Sequence, residues 1–137
     1  MSFLHLDEYL NKEFSPDNWS DSAVIYALEL VQKLTPADWD ELKSCWRERP
    51  QEWQYRCAEI ISDGDSQQAI PLLLEMLETP DDELTLTAAD SLRSIEAAKQ
   101  NLYLNPDVLK RLQVLSQSSS IAQIIVNELL KKLPVRL

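Results

Sequence analysis

Glu52, Tyr55 and Glu59 stand three and four residues apart, and the same spacing returns 31 residues later as Glu83, Leu86 and Asp90. Positions so spaced share one face of a helix, so each triplet presents two carboxylates on either side of a large ring or alkyl group. A third row, Ser22, Ile25 and Glu29, keeps the spacing with a single acid. Acids around an apolar centre suit recognition of a cationic partner, with Tyr55 as an anchor, because interfaces join an apolar core to a polar rim. The same pattern also suits a plainer arrangement, in which Ile25, Tyr55 and Leu86 touch one another between units and the acids are a solvated face.

Catalytic chemistry is harder to find. His5 is the one histidine and has no evident nucleophile partner, a lone Gly64 cannot build a phosphate-cradling loop, and neither GxSxG nor HExxH occurs. Asp81-Asp82-Glu83 lacks the glycine and terminal glutamate of a calcium loop, so the acids read as favourable charges at a helix start. Cys45 and Cys57 form no CxxC and read as small buried hydrophobes, since a zinc site needs more ligands than they and His5 supply. A non-enzymatic chain without metal or cofactor is the expectation.

Charge narrows the partner. The chain carries 13 Lys and Arg against 23 Asp and Glu, a net of −10 at neutral pH. Residues 1 to 104 hold 21 acids and 8 bases, whereas residues 105 to 137 hold 2 acids and 5 bases. Such a field repels nucleic acid and anionic membrane and favours a basic protein.

The elements that must position these residues are helices. The chain is 137 residues long, 45% apolar and has a single glycine, which fits one all-α domain over residues 1–137 and not a sheet-rich fold. Thr35-Pro36 and Asn105-Pro106 each place a capping side chain before a proline at the first helical position. Gly64 is expected to end a helix in the left-handed conformation, with cap candidates Asp65 and Ser66 next, and Pro80-Asp81-Asp82 opens another helix. Eight segments follow, at about 2–13, 20–33, 36–48, 51–62, 66–78, 82–97, 106–117 and 120–133, pairing into four hairpin units near 1–34, 35–64, 65–97 and 105–133.

A shift of 31 residues brings Trp39, Leu42 and Trp46 onto Ile70, Leu73 and Leu77, and Trp53, Cys57, Ala58 and Ile61 onto Leu84, Ala88, Ala89 and Leu92. A shift of 37 carries Leu84, Ala88, Ala89 and Leu92 onto Ile121, Ile125, Val126 and Leu129. Trp53, Cys57, Ile60 and Ile61, and likewise Leu84, Ala88, Leu92 and Ile95, form the buried stripes opposite the acidic rows. Trp39 and Trp46 read as core, Trp19 as a staple onto Ala23 or Val24 or else an exposed contact, and Lys131 and Lys132 as complements to the negative end of the last helix.

Residues 69–92, "AIPLLLEMLETPDDELTLTAADSL", carry a proline near the start of one helix, an acidic turn and a small-residue pair in the next helix. In these features the chain resembles the short bacterial HEAT repeat, best over residues 66–95. Gln54 and Thr85 stand where that family often has arginine. The resemblance implies a right-handed α-solenoid of about four antiparallel helix pairs, with the second helices lining the concave face and used for binding. The family spans many functions, and fold alone assigns none.

The expectation is a single non-enzymatic acidic protein-binding module that binds through Glu52, Tyr55, Glu59, Glu83, Leu86 and Asp90. Its most concrete form is a bacterial immunity protein neutralising a basic toxin, and the alternative is a scaffold or adaptor subunit of a larger assembly. The acidic start, and the absence of any run near the roughly 18 apolar residues of a membrane span, place it in the cytoplasm.

Overall fold

The computed structural model describes residues 2–95 and 102–132, and the secondary structure within them is entirely helical. Its helices are α1 (Ser2–Leu10), α2 (Pro16–Asn18), α3 (Val24–Gln32), α4 (Pro36–Cys45), α5 (Gln51–Ile60), α6 (Ser66–Leu77), α7 (Asp82–Ser94), α8 (Pro106–Leu115) and α9 (Ser120–Leu130). A turn of π-helix, Trp19–Ala23, fuses α2 to α3, and 3₁₀ turns, Trp46–Glu48 and Ile61–Asp63, extend α4 and α5. Expected positions 96, 97 and 133, and the tail beyond, lie outside the described residues. None of the helices found there is long and apolar enough to cross a membrane.

The caps explain the boundaries. Thr35 and Asp38 form a reciprocal capping box at α4, and Asp38 also accepts from the Phe3 backbone N–H, which ties the start of α1 to α4. Asp65, Asp81, Asn105 and Ser119 cap α6, α7, α8 and α9 in turn. The second segment starts earlier than position 20, because Ser15 caps Asn18 ahead of Pro16. This repeats the cap-proline pairing of Thr35-Pro36, and it puts Trp19 inside a helix and not before one.

Helices α3, α5, α7 and α9 form a row, each packed on the next. Helix α1 lies against α3, α4 and α5, α6 lies against α7, and α8 lies against α7 and α9. Small residues permit close approach in the middle of the row: Ala58, Ala88 and Ala89 are fully buried, and Ser91 of α7 donates to the Ala58 carbonyl of α5 at 2.5 Å. Both stripes predicted from the pattern are buried. Burial also repeats under the shift of 31: Trp53 with Leu84, Cys57 with Ala88 and Ile61 with Leu92 are buried, while Tyr55 and Leu86 are both half-buried. Two positions depart. Ile70 is half-buried where Trp39 is buried, and Ile121 is 71% exposed where Leu84 is buried, since Ala122 takes the inward place at the start of α9.

The positions expected to hold arginine have other work. Gln54 donates to the carbonyls of Trp46, Arg47 and Arg49, and Thr85 to those of Leu77 and Thr79, so each secures the end of the helix before it. Lys132, at the end of the last helix, also reaches across the fold, its ammonium donating to the Ile95 carbonyl just past α7 at 3.1 Å.

Gly64 is not left-handed. Its φ of −95° and ψ of −159° are extended and open to any residue. The glycine answers to space, because a Cβ there would stand 2.7 Å from Val31 Cγ1 and 2.9 Å from the Trp39 ring. Trp39 is 1% exposed and boxed in by the core, so it cannot swing aside. Gly64→Ala should therefore destabilise the fold by roughly 1–3 kcal/mol, the usual cost of overpacking, read as a lower urea midpoint at unchanged m-value. An unchanged midpoint would show that the contact relaxes freely.

Candidate functional site

The row of helices carries two adjoining grooves. The first, 730 Å³, lies between the segment from Leu10 to Ser20 and helix α5, and its lining includes Glu52, Tyr55, Glu59 and Glu83. The second, 580 Å³, lies between α7 and the start of α9, and its lining includes Glu59, Glu83, Leu86 and Asp90. All six residues singled out from the sequence thus line one continuous surface, and Glu59, Glu83 and Thr87 belong to both grooves. Ser22, Ile25 and Glu29 do not join them. Ile25 is 57% exposed on α3, and the place in the row expected for that triplet is taken by Phe14, Pro16 and Trp19.

The wall of the first groove is built around Arg56. Its guanidinium is 5.2 Å from the ring centroids of both Phe14 and Trp19, and Nη1 donates to the carbonyls of Leu10 at 3.1 Å and Lys12 at 2.7 Å. Those carbonyls end α1 and would otherwise lack helical partners. Trp19 is buried and donates from Nε1 to Glu59 Oε2 at 2.5 Å, bridging 40 residues of sequence. Sequence reasoning expected a local staple onto Ala23 or Val24; the polar partner of the indole is a distant carboxylate.

Each predicted residue has a distinct state. Glu52 is exposed and only 3.8 Å from Arg56 Nη2. Tyr55 spends its hydroxyl internally, donating to Asp81 Oδ2 at 2.7 Å, while Asp81 Oδ1 caps the first N–H groups of α7. Asp90 pairs with Arg93 at 2.6 Å along its own helix. Glu59 uses Oε2 on Trp19, which leaves Oε1 for a ligand. Glu83 is exposed, and its carboxylate makes no hydrogen bond or ion pair with any described residue.

The negative field of this surface registers on Tyr55. Its phenol is pushed up to about 12, first by the hydrogen bond to Asp81, then by burial and by the neighbouring charges of Asp81, Glu83 and Glu52. Arg56 and Phe14 carry no expectation from the sequence, Trp19 is expected only as a staple or an exposed contact, and Ile121 is expected on the buried stripe. The Ser15-Pro16 cap would have pointed to the early helix start, whereas nothing local signals that Arg56 turns inward.

Neither cysteine faces the grooves. Cys57 is fully buried, and desolvation followed by the charge of Cys45 raises its thiol far above the ordinary range. Among the described residues, no group of three or more His, Cys, Asp or Glu side chains gathers closely enough to hold a metal ion. No family model matches the chain, and no curated protein or solved structure is detectably similar to it.

The Tyr55 environment is directly testable by alkaline titration. A phenol with a raised pKa is stabilised by the fold in its neutral form, so the contribution is fully present below pH 10 and is lost as pH rises through about 12. In the native protein the Tyr55 phenolate should appear near pH 12 by ultraviolet absorbance, distinguished from Tyr9, whose phenol burial also raises, as the step lost in Tyr55→Phe; Asp81→Asn should bring it down toward 10. An unmoved titration in that variant would show that Asp81 does not act on Tyr55.

Proposed function

We propose that this chain is a non-enzymatic acidic protein-binding module, and most concretely an immunity protein that covers the cationic site of a basic toxin. Its architecture on this reading is an α-solenoid of about four antiparallel helix pairs, with α3, α5, α7 and α9 as the inner row. Three lines support that arrangement. The row packs in sequence order, burial repeats at a shift of 31, and several side-chain bonds between units join residues about that far apart. Examples are Gln32 to Asp63 at 2.6 Å, Arg47 to Glu75 at 2.8 Å and Arg111 to Asp82 at 2.7 Å.

The observation that carries the binding role is the junction of the two grooves, where Glu83 and the second oxygen of Glu59 have no cation partner among the described residues. Neighbouring carboxylates repel one another, and an incoming Lys or Arg would relieve that repulsion. The net charge of −10 adds a long-range field that speeds capture of a cationic protein. An inhibitor gains from both effects, because rapid encounter and burial of the partner's basic site block access to an anionic substrate.

Capture of a tagged chain from the cells that express it, followed by mass spectrometry, tests the reading. A strongly basic partner should be recovered by the wild type, and reversal of both exposed acids, Glu83→Lys with Asp90→Lys, should weaken it at least about tenfold with the helical content unchanged. Recovery of only acidic or neutral partners, or capture unaffected by the reversal, would contradict it.

A further inference from the structure

The second groove has a composition that names the shape of its occupant as well as its charge. Its floor and rim include Leu86, Ile121 and Ile125, its acids are Glu59, Glu83 and Asp90, and among the described residues no Lys or Arg lines it. Ile121 is 71% exposed. An isolated exposed isoleucine is ordinary, but this one adjoins an apolar groove bordered by three carboxylates. Most hydroxyls there are engaged within the fold: Ser91 donates to the Ala58 carbonyl, Ser94 to the Ser91 carbonyl and Thr87 to the Glu83 carbonyl, and Ser119 accepts from the Ala122 N–H; the Ser62 hydroxyl makes no hydrogen bond with a described residue. Glu83, the second oxygen of Glu59, the Ser62 hydroxyl and the alkyl groups are what remain for a partner, and Asp90 would exchange or share its exposed pair with Arg93.

Their spacing selects among partners. Glu83, Leu86 and Asp90 lie along one face of α7, and seven residues of helix separate the two acids by about 10 Å. A partner helix lying alongside repeats that interval if it carries bases seven residues apart with apolar residues three or four residues after the first. An extended strand repeats its same-face side chains every two residues, or about 6.8 Å, so it meets one of the two acids in register but not both.

We propose that the groove between α7 and α9 takes a basic amphipathic helix of the partner. Its bases meet Glu83 and Asp90, and its apolar residues seat on Leu86, Ile121 and Ile125. The inference rests on the acidic binding role proposed above and adds the secondary structure of the partner's segment and the apolar anchor on α9.

Fluorescence anisotropy with synthetic labelled peptides tests it on the intact chain. The probe is a 14-residue peptide with Lys at positions i and i+7 and Leu at i+3 and i+4, repeated over two heptads. Its controls are a peptide of the same composition scrambled to break the helical period, and a version with Glu for every Lys. The ordered peptide should bind at least about tenfold more tightly than the scrambled one, weaken as salt rises, and show no binding in the Glu form. Ile121→Ser should cost the ordered peptide about fivefold or more without changing the scrambled one, and its exposure keeps the fold intact. Equal binding of ordered and scrambled peptides, both weakened by Glu83→Lys, would overturn the helical occupant while leaving the acidic binding role in place. Binding of the ordered peptide that is indifferent to Ile121→Ser would overturn the anchor. Binding of neither cationic peptide, alongside normal capture of a basic partner, would likewise reject the helix and leave the wider reading standing.

Discussion

The arrangement depends most on where the charge of Arg56 goes. The residue is 9% exposed, and taking a guanidinium out of water costs several kcal/mol unless donors find acceptors. Here the acceptors are the Leu10 and Lys12 carbonyls at the end of α1, and the flat faces are covered by Phe14 and Trp19. One side chain on α5 therefore holds the end of α1, the following segment and the π turn in one place. Removing it would leave two carbonyls without donors and two rings without their cation, and the wall of the first groove would lose its reason to stand where it does.

Glu59 extends that network to the binding surface. It lies one turn beyond Arg56 on α5, and by accepting from Trp19 it couples the position of the π turn to the acid at the junction of the grooves. Asp7 plays a matching part on the other side of α1, receiving two bonds from Arg49 at 2.8 and 2.9 Å and one from the Trp53 indole at 3.0 Å. Both are charge-assisted contacts in partly buried places, where they are stronger and more directional than surface pairs. Glu83 stands on the exposed side of α7 between these elements, and its carboxylate makes no ion pair with any described residue.

Local signals were legible in the sequence and long-range ones were not. Thr35-Pro36, Asn105-Pro106, Asp65 and Asp81 mark helix starts through bonds spanning two or three residues, so reading them needs no knowledge of the fold. The stripes of Trp53 to Ile61 and Leu84 to Ile95 follow from periodicity, and the acidic triplets are what that periodicity leaves outside. Gly64 was misread because a glycine after a helix usually supplies a left-handed residue, whereas here it makes room for Val31 and Trp39, which approach from elsewhere in the chain. The inward turn of Arg56 and the reach of Trp19 to Glu59 both depend on contacts about 40 residues apart, and no spacing rule encodes them. The exposed Ile121 escaped for a related reason: a one-residue rotation at the start of α9 exchanges it with Ala122, and an apolar pattern alone does not set that register.

Amide hydrogen exchange of the chain, free and bound to the partner recovered by capture from its own cells, tests the central claim most directly, since it reports every helix at once. Protection should concentrate at residues 52–59 of α5, 83–90 of α7 and the start of α9, with α4, α6 and α8 little changed. Protection centred on α4, α6 and α8, with the groove helices unchanged, would contradict the assignment of this acidic surface as the site of recognition.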